Sequence, residues 1–144
     1  MQVRHIRPIA ICLFRKGDFI LVEDHPDTVK QDRFCRPVGG GIEYGERSDA
    51  AIVREVREEL GVEIERIELV GVLENIFTCE GEPGHEVVFV YNAEFVDKSV
   101  YDLGIFPGYE HGNRSHFTAH WKSLEQIERE GLRLVPDGLA ALLA

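Results

Sequence analysis

The segment Ser48–Leu60 constrains this chain more than any other. At about 100° per residue, Ile52, Val56 and Leu60 fall on one side of a helix, with Val53 beside them. Ser48 can cap such a helix, Asp49 suits its positive end and Gly61 stops it. The apolar side has to pack on a sheet. Glu55, Glu58 and Glu59 stand at i, i+3 and i+4 and share another face. Like charges so spaced repel by roughly a few tenths of a kcal/mol per pair in water. Arg54, four residues before Glu58, and Arg57, further round, are the relief within the helix. Two readings follow: a solvated acidic surface, or three hard oxygen ligands on one rigid face, the donor set Mg²⁺ or Mn²⁺ requires.

The rest of the chain supplies a sheet for that helix. Ile9–Phe14 and Phe19–Val22, joined by the turn Lys16-Gly17-Asp18, predict a hairpin. Residues 24–33 are polar and predict a loop. Ile64–Leu73 and Val87–Phe95 predict strands, Phe117–Trp121 a shorter one. Ser123–Arg129 predicts a helix with Ser123 and Gln126 in capping-box positions, and Pro136 opens a last one running through Leu143. Strands and helices mix, so the expected class is α/β or α+β around a mixed sheet. At 144 residues, residues 1–144 are expected to form a single domain.

Charge narrows the partners. Lys plus Arg is 16 against 26 Asp plus Glu, a net charge of −10 with no basic run. That argues against duplex DNA and anionic membranes. An acidic protein that handles phosphates needs local screening, and a divalent metal is the usual means. The N-terminus lacks an apolar signal core, and Cys12, Cys35 and Cys79 have no metal or disulfide spacing. A cytoplasmic protein with reduced, core-packed thiols is the expectation.

Before the helix, Gly39, Gly40 and Gly41 let the backbone pass close to a ligand. Arg36 just ahead of them is a candidate phosphate contact, and Phe34, Phe77 and Tyr109 are candidates for stacking a base. From Gly40 to Val62 the chain reads G-x5-E-x7-R-E-U-x-E-E-x-G-U, where U is a bulky aliphatic, through Gly40, Glu46, Arg54, Glu55, Val56, Glu58, Glu59, Gly61 and Val62. This resembles the Nudix box, the signature of the Nudix hydrolases, with every specified position met. The upstream hairpin and the Trp121 segment resemble the family less specifically.

The resemblance implies a Nudix fold, a mixed sheet between helices with the box as loop–helix–loop. It implies metal-dependent hydrolysis of a pyrophosphate linkage in a nucleoside diphosphate joined to another group. Glu55, Glu58 and Glu59 would bind Mg²⁺ or Mn²⁺, with the Gly39 carbonyl as a further ligand. Glu46 would pair with Arg54 to hold the loop onto the helix; Arg36 and Gly40, from their place at the glycine segment, are the candidate substrate contacts. The general base stays open among Glu58, Glu59 and Glu86. Glu86 is placed on a glycine-rich loop, with Glu82 as its alternative. His85 reads as a surface residue, and His111, His116 and His120 lack zinc spacing. The expected partner is a small nucleotide, without DNA or membrane, a homodimer being the open assembly state. Two alternatives stand beside hydrolysis of a small substrate: a nucleotide-sensing module that does not cut, and a pyrophosphohydrolase acting on RNA 5′ ends.

Overall fold

Apolar alternation in the first strand decides how the layers stack. In β1 (Arg7–Leu13), Ala10 and Cys12 point to one side and Ile9, Ile11 and Leu13 to the other. A strand buried on both faces needs cover on both. The computed structural model describes residues 4–110 and 115–143. After β1 come β2 (Arg15–Lys16), β3 (Phe19–Asp27), β4 (Asp32–Gly41), helix α1 (Ser48–Leu60), β5 (Ile64–Cys79) and β6 (Glu82–Phe95). A 3₁₀ turn at Lys98–Asp102 leads to β7 (Ile105–Glu110), β8 (Ser115–Ser123), α2 (Leu124–Arg129), β9 (Arg133–Leu134) and α3 (Leu139–Leu142).

The strands run in the order β5-β6-β1-β4-β3-β8-β7, with β2 on β3 and β9 on β4. β1 lies parallel to β6 and antiparallel to β4, so the sheet is mixed, as the sequence predicts. On one face Ala51, Ile52 and Val56 of α1 pack against Ala10, Cys12, Leu21 and Val38. On the other, Leu139 of α3 covers Ile9, Ile11 and Leu13, and Ile127 of α2 covers Ile20 and Val22.

Several boundaries differ from expectation. The turn at Gly17 joins β3 to the short β2, whereas β1 pairs with β4 and β6. The polar stretch 24–33 is mostly strand, because β3 and β4 stay paired out to Asp27 and Asp32. Segments 74–79 and 82–86 extend β5 and β6 into one long hairpin turning at Glu80-Gly81. β7 escaped the sequence reading because Gly104, Pro107 and Gly108 break its apolar alternation. The last helix spans Leu139–Leu142 and does not begin at Pro136. Cys12 and Cys35 are buried and Cys79 half-buried, all as free thiols. Among the described residues, no helix is long and apolar enough to cross a membrane.

β4 changes partner along its length. Residues 32–37 lie against β3, and residues 38–41 lie against β1. Where β4 leaves β1, the sheet opens into a wedge between the β3–β4 side and the β5–β6 hairpin. Gly40 and Gly41 border a hollow that shares Arg7, Ile9, Arg36 and Glu86 with that wedge.

Candidate active site

The loop between β4 and α1 is folded onto the helix by one arginine. Arg54 forks onto Glu46, Nε donating to Oε2 at 2.8 Å and Nη2 to Oε1 at 2.9 Å. Nη2 also donates to the Gly41 carbonyl at 2.9 Å, and Nη1 to Glu55 at 3.0 Å and Glu58 at 3.2 Å. Five donors in a fixed plane suit this branching, which a lysine could not reproduce. The hydrogen bonds from Arg54 hold the Glu46 carboxyl down at about 2. The helix start differs from the expected cap. Arg47 occupies the N-cap without a side-chain capping bond, and Ser48 is already helical, its hydroxyl bonded to the Tyr91 hydroxyl. Gly61 closes the other end in the left-handed conformation, its N–H donating to the Arg57 carbonyl.

The glutamates of α1 do not share one environment. Glu58 is half-exposed, whereas Glu55 and Glu59 are buried, at 8% and 4% exposure. Glu55 rests on Gly40: a Cβ there would lie 2.4 Å from the Glu55 Oε2. Glu59 is the anomaly. Both of its carboxylate oxygens are buried without a hydrogen-bond donor. Burial, then the Glu23 and Glu110 carboxylates facing it, push its carboxyl up to about 11. A side-chain hydrogen bond with Glu110 acts in the same direction, favouring the protonated form of Glu59.

Two members of this cluster were not read from the sequence. Glu23 ends the apolar run of β3 and is 1% exposed. Its Oε1 accepts from Arg36 Nε at 2.9 Å and lies 2.7 Å from His25 Nε2, while Oε2 is buried without a partner. Glu110 ends β7, with Arg36 Nη2 at 3.9 Å. Only long-range pairing brings these residues to α1. Arg36, predicted as a phosphate contact, sits among Glu23, Glu59, Glu86 and Glu110, and the charges of the first three raise its affinity for its proton.

This donor set fits a hard divalent cation in its chemistry. Glu59 offers two orphaned buried oxygens, Glu55 and Glu58 share its helix, and Glu23 and Glu110 face it. Among the described residues no three such side chains converge as a finished cage. Glu55 and Glu58 are turned instead to Arg54. Gly39 lies buried in β4 opposite Ile11.

Glu86 is placed differently from the expectation of a loop. It lies within β6, is 8% exposed, and faces Arg7 at 3.7 Å because parallel pairing sets Arg7 beside it. Glu82 is exposed near the hairpin turn. His85 is half-buried in β6, His116 meets Tyr109 edge-on, His120 lies by Thr118, and His111 is outside the described residues. Two hollows meet at the site. One, next to Gly40, Gly41 and Glu110, and a second of about 280 Å³ inside the wedge share Arg7, Ile9, Arg36 and Glu86. The two hollows adjoin along these four residues.

The NUDIX domain model matches residues 4–141. The chain belongs to the Nudix family. A MutT NUDIX hydrolase from Burkholderia pseudomallei superposes with a TM-score of 0.67 at 22% identity, covering 97% of this chain and 97% of that one. An NAD-capped RNA hydrolase NudC from Pseudomonas aeruginosa is 30% identical over 99 residues, 69% of this chain and 33% of that protein. The NudC of Pseudomonas putida is 39% identical over 90 residues, 62% of this chain and 30% of that protein. This Nudix chain thus spans about a third of the length of these curated relatives.

Proposed function

We propose that this chain is a divalent-metal-dependent pyrophosphohydrolase acting on a nucleoside diphosphate linked to another moiety. The observation that carries the reading is Glu59, a buried carboxylate with two unpartnered oxygens on a helix rich in further acids. A module that only senses nucleotides gains nothing from so costly a group. Glu55, Glu58 and Glu59 would hold Mg²⁺ or Mn²⁺, with the Gly39 carbonyl as a further candidate ligand. The cation would neutralise the diphosphate and make a bound water more acidic.

The chain's own groups have separable tasks. Glu46 and Arg54 fix the loop, so Gly40 and Gly41 present backbone to the diphosphate. Arg36 and Arg7 offer positive charge where the two hollows adjoin. A carboxylate accepts the proton of the attacking water. Glu58, Glu59 and Glu86 are the candidates from the sequence, and Glu110 joins them because it lines the hollow beside Gly40. No protein nucleophile is required.

A second reading is favoured by the Pseudomonas relatives, which are named as NAD-capped RNA hydrolases. NAD and NAD-capped RNA therefore belong in the substrate panel with ADP-ribose, a dinucleoside polyphosphate and a nucleoside triphosphate. The test is hydrolysis of this panel in ¹⁸O-water with Mg²⁺ or Mn²⁺. One product should carry solvent oxygen on phosphorus, and no phosphorylated protein should accumulate. Tight binding without label under either metal would favour the sensing module. A trapped phosphoenzyme would overturn the mechanism.

A further inference from the structure

We infer that the hollow inside the wedge holds the nucleobase of the substrate, with Phe77 as the stacking surface and Asn75 as the group that reads the base edge. The inference takes its ligand class from the nucleotide reading above. Phe34 is ruled out as a platform by its neighbours. On adjacent strands, His25 stacks on its ring at 5.4 Å and the Arg133 guanidinium lies over it at 5.6 Å. Arg133 is itself forked onto Asp32 at 2.7 and 3.0 Å, so this row forms a built wall. Tyr109 meets His116 and does not line the hollow.

Phe77, on β5 across the wedge, is differently placed. It lies over Gly84, its strand partner, where a Cβ would fall 2.3 Å from Cζ and 2.5 Å from Cε2. The glycine lets the ring lie across β6, and the ring also lines the hollow. Asn75, two residues earlier on the same face, is 7% exposed and lines it too. A side-chain amide sets a donor beside an acceptor, the complement of what a base edge presents.

The wall holding Phe77 is tied down. Buried Asp27 accepts from the backbone N–H of Lys30 at 3.0 Å and of Glu80 at 3.3 Å, and Lys30 Nζ donates to the Thr78 carbonyl at 2.6 Å. These bonds fasten the hairpin tip to the β3–β4 turn. At about 280 Å³ the hollow lies just below the usual size of small-molecule sites, roughly 300–1,000 Å³. It is of the size of one nucleoside. With a base at Phe77, the shared residues Arg36 and Arg7 fall beside the phosphates and the other moiety projects past Glu110. The chain should therefore discriminate strongly among bases and weakly among the attached groups.

Two measurements test this. First, the four nucleoside 5′-monophosphates are titrated by calorimetry in EDTA, so that neither metal nor turnover enters. Wild type should favour one base, and Phe77→Leu should weaken that binding by roughly tenfold, within the range for loss of base stacking. Asn75→Ala should level the affinities of the four. Ile76→Ser, on the exposed face of the same strand, should change neither and controls for the hairpin. Second, kcat/KM is compared across bases with one attached group and across attached groups with one base. Base preference that disappears in Asn75→Ala, with KM raised in Phe77→Leu, supports the assignment. Equal use of all bases by wild type, or preference untouched by both variants, overturns it while leaving hydrolysis standing. Base-selective, Phe77-dependent monophosphate binding without any turnover would uphold this subsite and reject the proposed activity. Absence of monophosphate binding at millimolar concentration also overturns the subsite.

Discussion

Two glutamates, Glu46 and Glu59, lie at opposite extremes of the carboxylate range. Glu46 is held at about 2 by the bonds from Arg54. A carboxyl depressed in the fold stabilises it above the unfolded value of about 4.3 and loses that contribution as pH falls toward 2. Glu46→Gln should lower the melting temperature at pH 7 by roughly 3–6 °C, scaled from a charge-assisted hydrogen bond. The gap to wild type should narrow in thermal melts between pH 4.5 and 2.5; a gap independent of pH would separate Glu46 from its ion pair. Glu59 runs the other way. Its burial and the facing acids raise it to about 11, so the folded protein holds a proton that the unfolded chain has released at neutral pH. That contribution weakens as pH climbs from the unfolded value toward 11. A cation binding there must displace the proton. Mg²⁺ titrated calorimetrically at pH 8 in HEPES and in Tris should give heats that differ by the difference between the two buffers' ionisation enthalpies, for one proton released. Identical heats would mean that Glu59 is not the group that meets the metal.

At the scale of elements, α1 was largely legible in the sequence because helix periodicity, a terminating glycine and an unusual acid spacing agree over Ser48–Gly61. The pairing of Glu46 with Arg54 came from family resemblance, since Glu46 lies outside the helix where periodicity is silent. Glu23, Glu110 and the Arg7–Glu86 pair were not legible. Each depends on strand neighbours far apart in the chain, and no local pattern encodes a parallel β1–β6 register. The same hidden register explains why adjacent glycines have unlike roles. At Gly39 a Cβ would lie 2.0 Å from the Ala10 carbonyl oxygen, which is backbone and cannot retreat. At Gly40 it would meet the end of the Glu55 side chain, which can swing away. Gly39→Ala should therefore destabilise the fold by about 3 kcal/mol or more, the range of severe steric substitutions. Gly40→Ala should keep the fold within about 1 kcal/mol, as flexible sites do. Its cost should appear in Mg²⁺ affinity and turnover through a displaced Glu55. Denaturant melts and metal titration of the two variants separate these outcomes, and equal destabilisation would remove the distinction.

For the whole molecule, a net charge of −10 poses an electrostatic problem concentrated in one place. Glu23, Glu55, Glu59 and Glu110 come together only in the fold, at the meeting of β3, β7 and α1, with Arg36 among them. In the unfolded chain the same acids are apart and hydrated. A cation at that cluster therefore binds the native state in preference, and native stability rises with its concentration. At a hundredfold excess over the dissociation constant the gain is about 2.7 kcal/mol. For a chain of this length that raises the melting temperature by roughly 5–10 °C. General screening makes a different prediction, because it depends on ionic strength and not on the valence or size of a bound ion. Melts in EDTA, in millimolar MgCl₂ or MnCl₂, and in NaCl of matched ionic strength distinguish the two. The expected result is a rise with either divalent ion, absent with NaCl and sharply reduced in Glu59→Gln, which keeps the shape of the side chain but removes its charge. An equal rise in NaCl would assign the effect to diffuse screening over the acidic surface and would leave the Glu59 cluster without a bound ion.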